Sequence, residues 1–286
     1  MIRLIPILFS LLLLCTCDSK KQSANPTNRN STTRVACLVP AMTDLLVAMN
    51  CQDHLAAVSN YDSLNADLPR VGDYRGPDWE TLATVHADVM VIQIDPSRLP
   101  RGFIEKADRL RMKLANIRFD TVDDVLRAVE SAGQVIGEND KASQLKNRLT
   151  AELNQVRDQS KIQTRVRVLM MMDTTGHALI GDGNFLSDLL NIAGGENVVT
   201  GMGPWPTGDL ELLLQLKPDV ILCLMPDMPG DLPGEVKKNL SRLQHVPAIS
   251  RGHVYAITDH SVLLPGAQIG RTAQNMQEIL RKSRKI

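Results

Sequence analysis

Two glutamates, Glu80 and Glu211, occupy equivalent positions in two similar segments of the chain. Residues 78–92 read DWETLATVHADVMVI and residues 209–223 read DLELLLQLKPDVILC, an offset of 131 with five identical positions. In each segment an aspartate stands two residues before the glutamate, where it can cap a helix. An acidic residue in a first helical turn gains about 0.3–1 kcal/mol from the helix dipole. The pair therefore serves either this local role or, as exposed carboxylates, the binding of cations on a partner.

Aromatic residues are scarce, and four of them fall in or beside loops that follow predicted strands. The chain has four Phe, three Tyr and two Trp. The four in question are Tyr61, Tyr74, Phe185 and Trp205. Trp205 lies between two prolines, which fix the backbone and prevent helix formation. Such rings could stack on a flat ligand. For Phe185 the alternative is packing at the start of the helix that follows the GDGN turn of residues 181–184.

The histidines do not form a metal-binding pattern. The six His show no HxxH or HxH spacing, whereas a bare metal site needs several converging ligands. We therefore predict no metal site of the protein's own. His260 lies in a loop and could be an axial ligand to a haem or corrin metal. The alternative is a polar loop residue.

Enzymatic motifs are missing as well. The chain contains no G-x-S-x-G, no H-E-x-x-H and no P-loop. We predict no catalytic residues and no cofactor. We favour a protein that binds a ligand without converting it. Two alternatives remain: an unrecognised lipid-anchored α/β enzyme, and a structural lipoprotein that has lost its ligand. Lys plus Arg and Asp plus Glu both number 32, so the net charge is zero and a basic nucleic-acid surface is excluded.

The N-terminus predicts export and lipidation. Residues 4–14 form an apolar stretch of 11 residues, too short for the ~20 that span a bilayer but typical of a signal peptide. Residues 14–17, LCTC, resemble a bacterial lipobox that ends at Cys17. We expect residues 1–17 to be a lipoprotein signal, residues 18–33 a flexible tether, and the protein to be membrane-anchored on the periplasmic or cell-surface side. An ordinary secretory signal is the alternative.

Short apolar runs alternate with helical patterns on either side of a long helical region, which predicts parallel sheets. The expected fold class is α/β, with two Rossmann-like lobes joined by a long rigid α-helix and a ligand cleft between the lobes. The N-terminal lobe would span residues 34–120, the connecting helices 121–160 with a break near Gly137, and the C-terminal lobe 161–286. Export permits a disulfide between Cys37 and Cys51; otherwise both are small buried residues.

Several stretches resemble the helical-backbone class of ABC-transporter solute-binding proteins, over residues 34–284. Residues 35–46 (VACLVPAMTDLL) look like the opening strand, loop and helix of that family, and residues 71–80 (VGDYRGPDWE) like its next characteristic stretch. The PWP of residues 204–206, with Trp205 six residues before Glu211, resembles most the vitamin B12-binding member. Residues 264–268 (LPGAQ) depart from a Pro-Gly-Pro-Arg stretch of the family, because Gln268 stands at the arginine position.

The resemblance implies a monomer that carries a metal chelate to an ABC permease and its ATPase. Cobalamin, ferric siderophores and haem are the ligands of the family. Cobalamin is favoured on charge, because Arg75 is the one evident cation in the predicted loops and an anionic chelate would need a cluster of cations. The expected docking residues for permease arginines are Glu80 and Glu211. The expected ligand contacts are Pro40, Tyr61, Tyr74, Arg75, Phe185, Trp205 and His260.

Overall fold

The computed structural model describes residues 32–284 except 64, 66 and 74. The strands are β1 (Val35–Cys37), β2 (Leu55–Ala57), β3 (Gly72–Asp73), β4 (Gly76–Pro77), β5 (Val89–Ile92), β6 (Lys113–Asn116), β7 (Val166–Met171), β8 (Leu179–Ile180), β9 (Gly195–Asn197), β10 (Val220–Leu224) and β11 (Val254–Ile257). The α-helices are α1 (Pro40–Ala48), α2 (Trp79–Val85), α3 (Phe103–Arg109), α4 (Val122–Ile136), α5 (Asn139–Ser160), α6 (Phe185–Ile192), α7 (Leu210–Leu216), α8 (Leu232–Asn239), α9 (Pro247–Ser250) and α10 (Ile269–Ser283).

Two sheets form the two predicted lobes. The first has the order β2-β1-β5-β6 and is parallel throughout. The second has the order β11-β10-β7-β8, with β9 also paired to β7, and only β8 runs antiparallel. Strands β1, β2, β5 and β10 are buried at every position, as expected for strands with helices on both faces. The α/β fold with two parallel-sheet lobes is confirmed.

The two segments that resemble each other in sequence also have the same local structure. Asp78 caps α2 by accepting from the backbone N–H of the second and third helical residues, and Asp209 caps α7 in the same way at its third. Each helix ends at a left-handed residue, His86 with φ 48° and Lys217 with φ 45°. A buried strand follows each. The offset of 131 residues therefore relates helix, cap and strand in the two lobes.

The connection between the lobes consists of two helices that pack against each other, α4 and α5. A capping box between Thr121 and Asp124 begins α4, and Gly137 ends it with φ 79°, at the predicted break. The 22 residues of α5 span about 33 Å. Helix α4 packs on α1 of the N-terminal lobe and α5 on α10 of the C-terminal lobe. The connector is thus held by packing against both lobes as well as by the length of one helix.

The cysteines of the folded region are buried free thiols, so no bridge joins Cys37 to Cys51. The Cys37 thiol donates to the carbonyl oxygen of Val39 at 3.2 Å, and the Cys51 thiol to that of Met49 at 3.4 Å. Burial raises the pKa of Cys37 to about 11, which disfavours the reactive thiolate. Of the two interpretations of this pair, the structure matches the small buried residue.

The predictions for the signal, for Cys17 and for almost all of the tether fall on residues 1–31, which lie outside the described residues. From residue 32 onward, none of the described helices is both long and apolar enough to cross a membrane.

Candidate functional site

The carboxyl ends of the strands in both lobes face a cavity of about 900 Å³. This position, outside the carboxyl edges of parallel strands, is where open α/β sheets bind ligands. The volume lies in the range of about 300–1,000 Å³ that is usual for small-molecule pockets. The N-terminal lobe supplies Gln93, Ile94, Asp95, Pro96, Arg98, Asn116, Arg118, Phe119 and Asp120, and the C-terminal lobe supplies Gly183, Asn184, Phe185, Pro204, Trp205, Leu263 and Pro265.

Trp205 lines this cavity from a loop whose backbone is held on both sides. The carbonyl oxygen of Pro204 accepts from the Gly181 N–H at 3.0 Å and from Asn184 Nδ2 at 3.1 Å. The approach requires glycine at 181, because a Cβ there would lie 2.0 Å from the carbonyl oxygen of Gly203. With its backbone fixed, the Trp205 side chain remains 51% exposed. An indole held this way is available to a ligand without much loss of conformational entropy.

Phe185 packs at the start of α6, as considered above, and it also lines the cavity. It is the first residue of α6, after the predicted GDGN turn, whose Asn184 caps the helix by accepting from Leu186 N at 3.0 Å and Ser187 N at 3.1 Å. The Phe185 side chain is only 4% exposed and belongs to the core, yet it also forms part of the cavity wall. Packing in the core therefore buries most of the surface of the Phe185 side chain.

The cavity contains charged residues that the sequence analysis missed. Arg118 donates from Nε at 2.9 Å and from Nη2 at 2.7 Å to Asp120 Oδ2. Hydrogen bonds from Ser97 lower the pKa of Asp95 and keep it ionised. The Arg98 guanidinium forms no hydrogen bond or ion pair within the described residues, although its charge also helps to lower the pKa of Asp95. Arg75 is the one evident cation of the predicted loops, but two arginines from outside those loops line the cavity together with two aspartates.

The charged residues of the cavity follow strands β5 and β6, and the sequence pattern that would predict β6 is weak. Its sequence, KLAN, is only four residues long and half-exposed, so it lacks the apolar run that marks the other strands. Without β6, nothing in the sequence places Arg118 at the edge of the sheet.

A second group of polar residues gathers at the β2 and β11 ends of the two sheets. Tyr61 Oη accepts a hydrogen bond from Arg75 Nη2 at 3.0 Å. Arg75 also lies 3.5 Å from Asp73 Oδ1, and the Arg75 N–H is the first cause that holds the pKa of Asp73 below its usual value. Tyr61 and Arg75, predicted separately as ligand contacts, are thus brought together in the N-terminal lobe.

His260 joins the two lobes. Its Nε2 lies 2.6 Å from Ser63 Oγ of the N-terminal lobe, and its Nδ1 forms a short hydrogen bond with Asp227 Oδ2 of the C-terminal lobe. When Nδ1–H donates to Asp227, the Nε2 lone pair points toward Ser63. Sequence spacing gave no sign of this, because residues 63 and 260 are 197 positions apart.

The remaining predicted residues lie outside these two groups. Glu80 and Glu211 are both exposed in the first turns of α2 and α7, and neither forms an ion pair within the described residues. Pro40 is the first residue of α1, where its missing N–H costs nothing, and it is not part of the cavity wall. Tyr74 lies outside the described residues.

Metal-binding clusters do not occur in the part of the chain that the structure describes, if a cluster means three or more His, Cys, Asp or Glu side chains.

The fold and cleft are those of a solute-binding protein, and the chain belongs to the periplasmic binding protein family, whose model matches residues 35–260. Members of this family are non-enzymatic components of transport. Among curated relatives, the high-affinity heme uptake system protein IsdE of Staphylococcus aureus is 23% identical over 267 residues, covering 88% of both chains.

Two solved structures show the same fold at low identity. The periplasmic heme-binding protein HutB of Vibrio cholerae is 19% identical with a TM-score of 0.74, over 87% of this chain and 98% of that one. The periplasmic vitamin B12-binding protein BtuF of Vibrio cholerae is 18% identical with a TM-score of 0.73, over 89% and 99%.

Proposed function

We propose that this protein is the lipid-anchored substrate-binding component of an ABC importer and that its ligand is an iron porphyrin. Family membership supports the transport role. The choice of ligand rests on His260, which presents an imidazole nitrogen to the opposite lobe while a carboxylate orients the ring. Metal-ligating histidines almost always donate their other N–H to a carboxylate, carbonyl or water. Asp227 supplies that carboxylate here.

Tyr61 is the corresponding candidate from the N-terminal lobe. Its phenol is half-exposed, two residues before Ser63, which touches His260. The guanidinium of Arg75 donates to the Tyr61 oxygen. Tyrosine is one of the side chains that hold haem iron in proteins. One oxygen and one nitrogen ligand, from opposite lobes, suit a metal held at the centre of a flat macrocycle.

The cavity suits the rest of a porphyrin. Ile94, Phe119, Leu263 and the ring of Trp205 offer apolar and aromatic surface. The guanidinium of Arg98, which forms no hydrogen bond or ion pair within the described residues, would bind a carboxylate of the ligand. The curated relative IsdE belongs to a heme uptake system, and HutB is a heme-binding protein, which supports the same choice.

Cobalamin, the ligand favoured from the sequence, remains the second candidate. The rigid Trp205 loop between two prolines and the structural likeness to BtuF support it. Arg118 pairs with Asp120, so part of the positive charge in the cavity is compensated, as a nearly neutral ligand would require.

Titration of the purified protein with hemin and with cyanocobalamin tests the proposal. We expect hemin to bind with a shifted Soret band, and His260→Ala or Tyr61→Phe to change that band and to weaken binding by at least roughly tenfold. His245→Ala, at an exposed histidine outside both polar groups, is the matched control and should behave as the wild type. Tight binding of cyanocobalamin together with no hemin spectrum would overturn the choice of ligand and leave the family unchanged.

The proposal includes two further roles. Glu80 and Glu211, one exposed carboxylate on each lobe, dock on arginines of the permease. Cys17 carries the lipid that holds the protein at the membrane. Each has its own test below.

A further inference from the structure

A second pocket lies at the far end of the C-terminal lobe, at the amino ends of its strands and away from the cleft. Its volume is about 230 Å³. It is formed where β7, β10 and β11 begin and where α10 ends. Its wall consists of Thr164, Arg165, Val166, Asp219, Arg251, His253, Ser283 and Arg284.

The wall carries more positive than negative charge. Three arginines face one carboxylate, and Asp219 accepts from only one of them, Arg251, at 3.2 Å. Arg165 donates to the carbonyl oxygen of Gly195 at 2.6 Å and Arg284 to that of Thr164 at 2.7 Å. Carbonyl groups satisfy hydrogen bonds but do not neutralise a charge. In a chain of zero net charge, this pocket is therefore locally cationic.

Two nitrogens of the wall are buried without a partner. They are Nε of Arg284 and Nε2 of His253, whose side chain is only 5% exposed and forms no hydrogen bond within the described residues. Burial lowers the pKa of Arg284, so its charged form is held at a cost. Buried polar groups in folded proteins nearly always have partners, and those without one call for an explanation.

The end of α10 lies beside the pocket and, taken alone, disfavours an anion there. Arg165 and Arg284 outweigh this effect, because each brings a full positive charge to the pocket wall against about half a negative charge at a helix end. The third arginine of the wall, Arg251, is paired with the one carboxylate, Asp219. The wall therefore keeps a net positive charge.

We propose that this pocket binds a small phosphate-type oxyanion, either free phosphate or the phosphodiester of a lipid headgroup. The anion accepts from Arg251 at the rim and balances the charges of Arg165 and Arg284, with the hydroxyl of Thr164 as a further donor. The site is independent of the ligand cleft.

Calorimetric titration of the full chain with inorganic phosphate, at an ionic strength held constant with chloride, tests the site. We expect saturable binding at one site. Arg251→Gln should weaken it by at least about tenfold, since a hydrogen bond to a charged group is lost. Arg251→Glu should abolish it. Arg281→Gln, an exposed arginine on α10 outside the pocket wall, is the matched control and should leave it unchanged.

We expect both Arg251 variants to fold, because the Arg251 side chain is 59% exposed. Hemin titration of Arg251→Gln should match the wild type, which separates this test from that of the cleft. Dihexanoylphosphatidylglycerol, titrated below its micelle concentration, identifies the source: binding tighter than that of phosphate indicates a lipid headgroup, and weaker binding indicates a free anion. The proposal fails if phosphate gives no more heat than chloride, or if Arg251→Gln binds phosphate as the wild type does.

Discussion

His260 Nε2 and Ser63 Oγ, at 2.6 Å, form a hydrogen bond between two lobes whose sheets are otherwise separate. On the other side of the imidazole ring, Asp227 fixes the tautomer that leaves Nε2 free to accept. The atom that we propose as a ligand to iron is thus hydrogen-bonded to a serine in this structure. Ligand binding would exchange one partner of His260 for another.

Removal of the serine hydroxyl should therefore favour the ligand. We expect Ser63→Ala to tighten hemin binding by roughly two- to tenfold, the equivalent of one net hydrogen bond. Spectroscopic titration measures the change. Ser241→Ala, at an exposed serine of the C-terminal lobe, is the control. Weaker binding by Ser63→Ala would mean that the hydroxyl contacts the ligand and does not compete with it.

A second contact between the lobes involves a partly buried carboxylate. Asp44 Oδ2 on α1 accepts from the Ala267 N–H, beside the start of α10, at 2.6 Å. We expect Asp44→Ala to lower the free energy of unfolding by ~1–3 kcal/mol, because it leaves that N–H buried without an acceptor. Asp44→Asn keeps an acceptor oxygen and should lose less. Urea denaturation measures both variants, and equal losses would show that the charge matters more than the hydrogen bond.

The Asp44 carboxylate should also make the free energy of unfolding depend on pH. Burial raises the pKa of Asp44 above its ordinary value of 3.8, so the folded state binds this proton more tightly than the unfolded state. The stability of the wild type relative to Asp44→Asn should be greatest below pH 3.8. It should fall as the pH rises through the raised pKa and stay level above it. Denaturation of both proteins across that range tests the sign, and a difference that grows with pH would contradict it.

The fold was predictable from the sequence because buried parallel strands leave continuous apolar runs, as at Val220–Leu224. The turn before Phe185 and the break at Gly137 also follow from local chemistry. The polar contacts were not predictable, because Ser63 meets His260 and Asp44 meets Ala267 only through the closure of the two lobes. Arg118 was missed for a local reason, since the strand before it, β6, has no apolar pattern.

Trp205 should contribute a large share of ligand affinity, because its indole is exposed to the cleft on a fixed backbone. We expect Trp205→Ala to weaken ligand binding by ~1–3 kcal/mol, the range for an aromatic anchor. Trp205→Phe should retain most of the affinity. Met202→Ala, at an exposed residue nearby that is not part of the cavity wall, serves as the control. Unchanged affinity in Trp205→Ala would place the ligand away from this loop.

The two glutamates proposed to dock on the permease should affect transport without affecting ligand binding. Glu80→Ala or Glu211→Ala should reduce uptake by cells at least several-fold and leave the affinity for ligand in solution nearly unchanged. The double change to Lys should be worse, through repulsion of permease arginines. Glu235→Ala, an exposed glutamate in the first turn of α8, is a matched control. A collapse of ligand affinity would instead assign these carboxylates to the pocket or to the fold.

The last prediction concerns the proposed lipid anchor. Thr16 is small and Leu14 stands three residues before Cys17, the arrangement of a lipobox, whereas Cys15 would follow the bulky Leu14. We therefore expect Cys17→Ser to lose lipidation and to release the protein from the membrane fraction, as measured by metabolic labelling with a fatty acid and by fractionation. Cys15→Ser is the matched control, since it alters the neighbouring thiol and should remain lipidated. The reverse result, with Cys17→Ser anchored and Cys15→Ser released, would move the modification site by two residues.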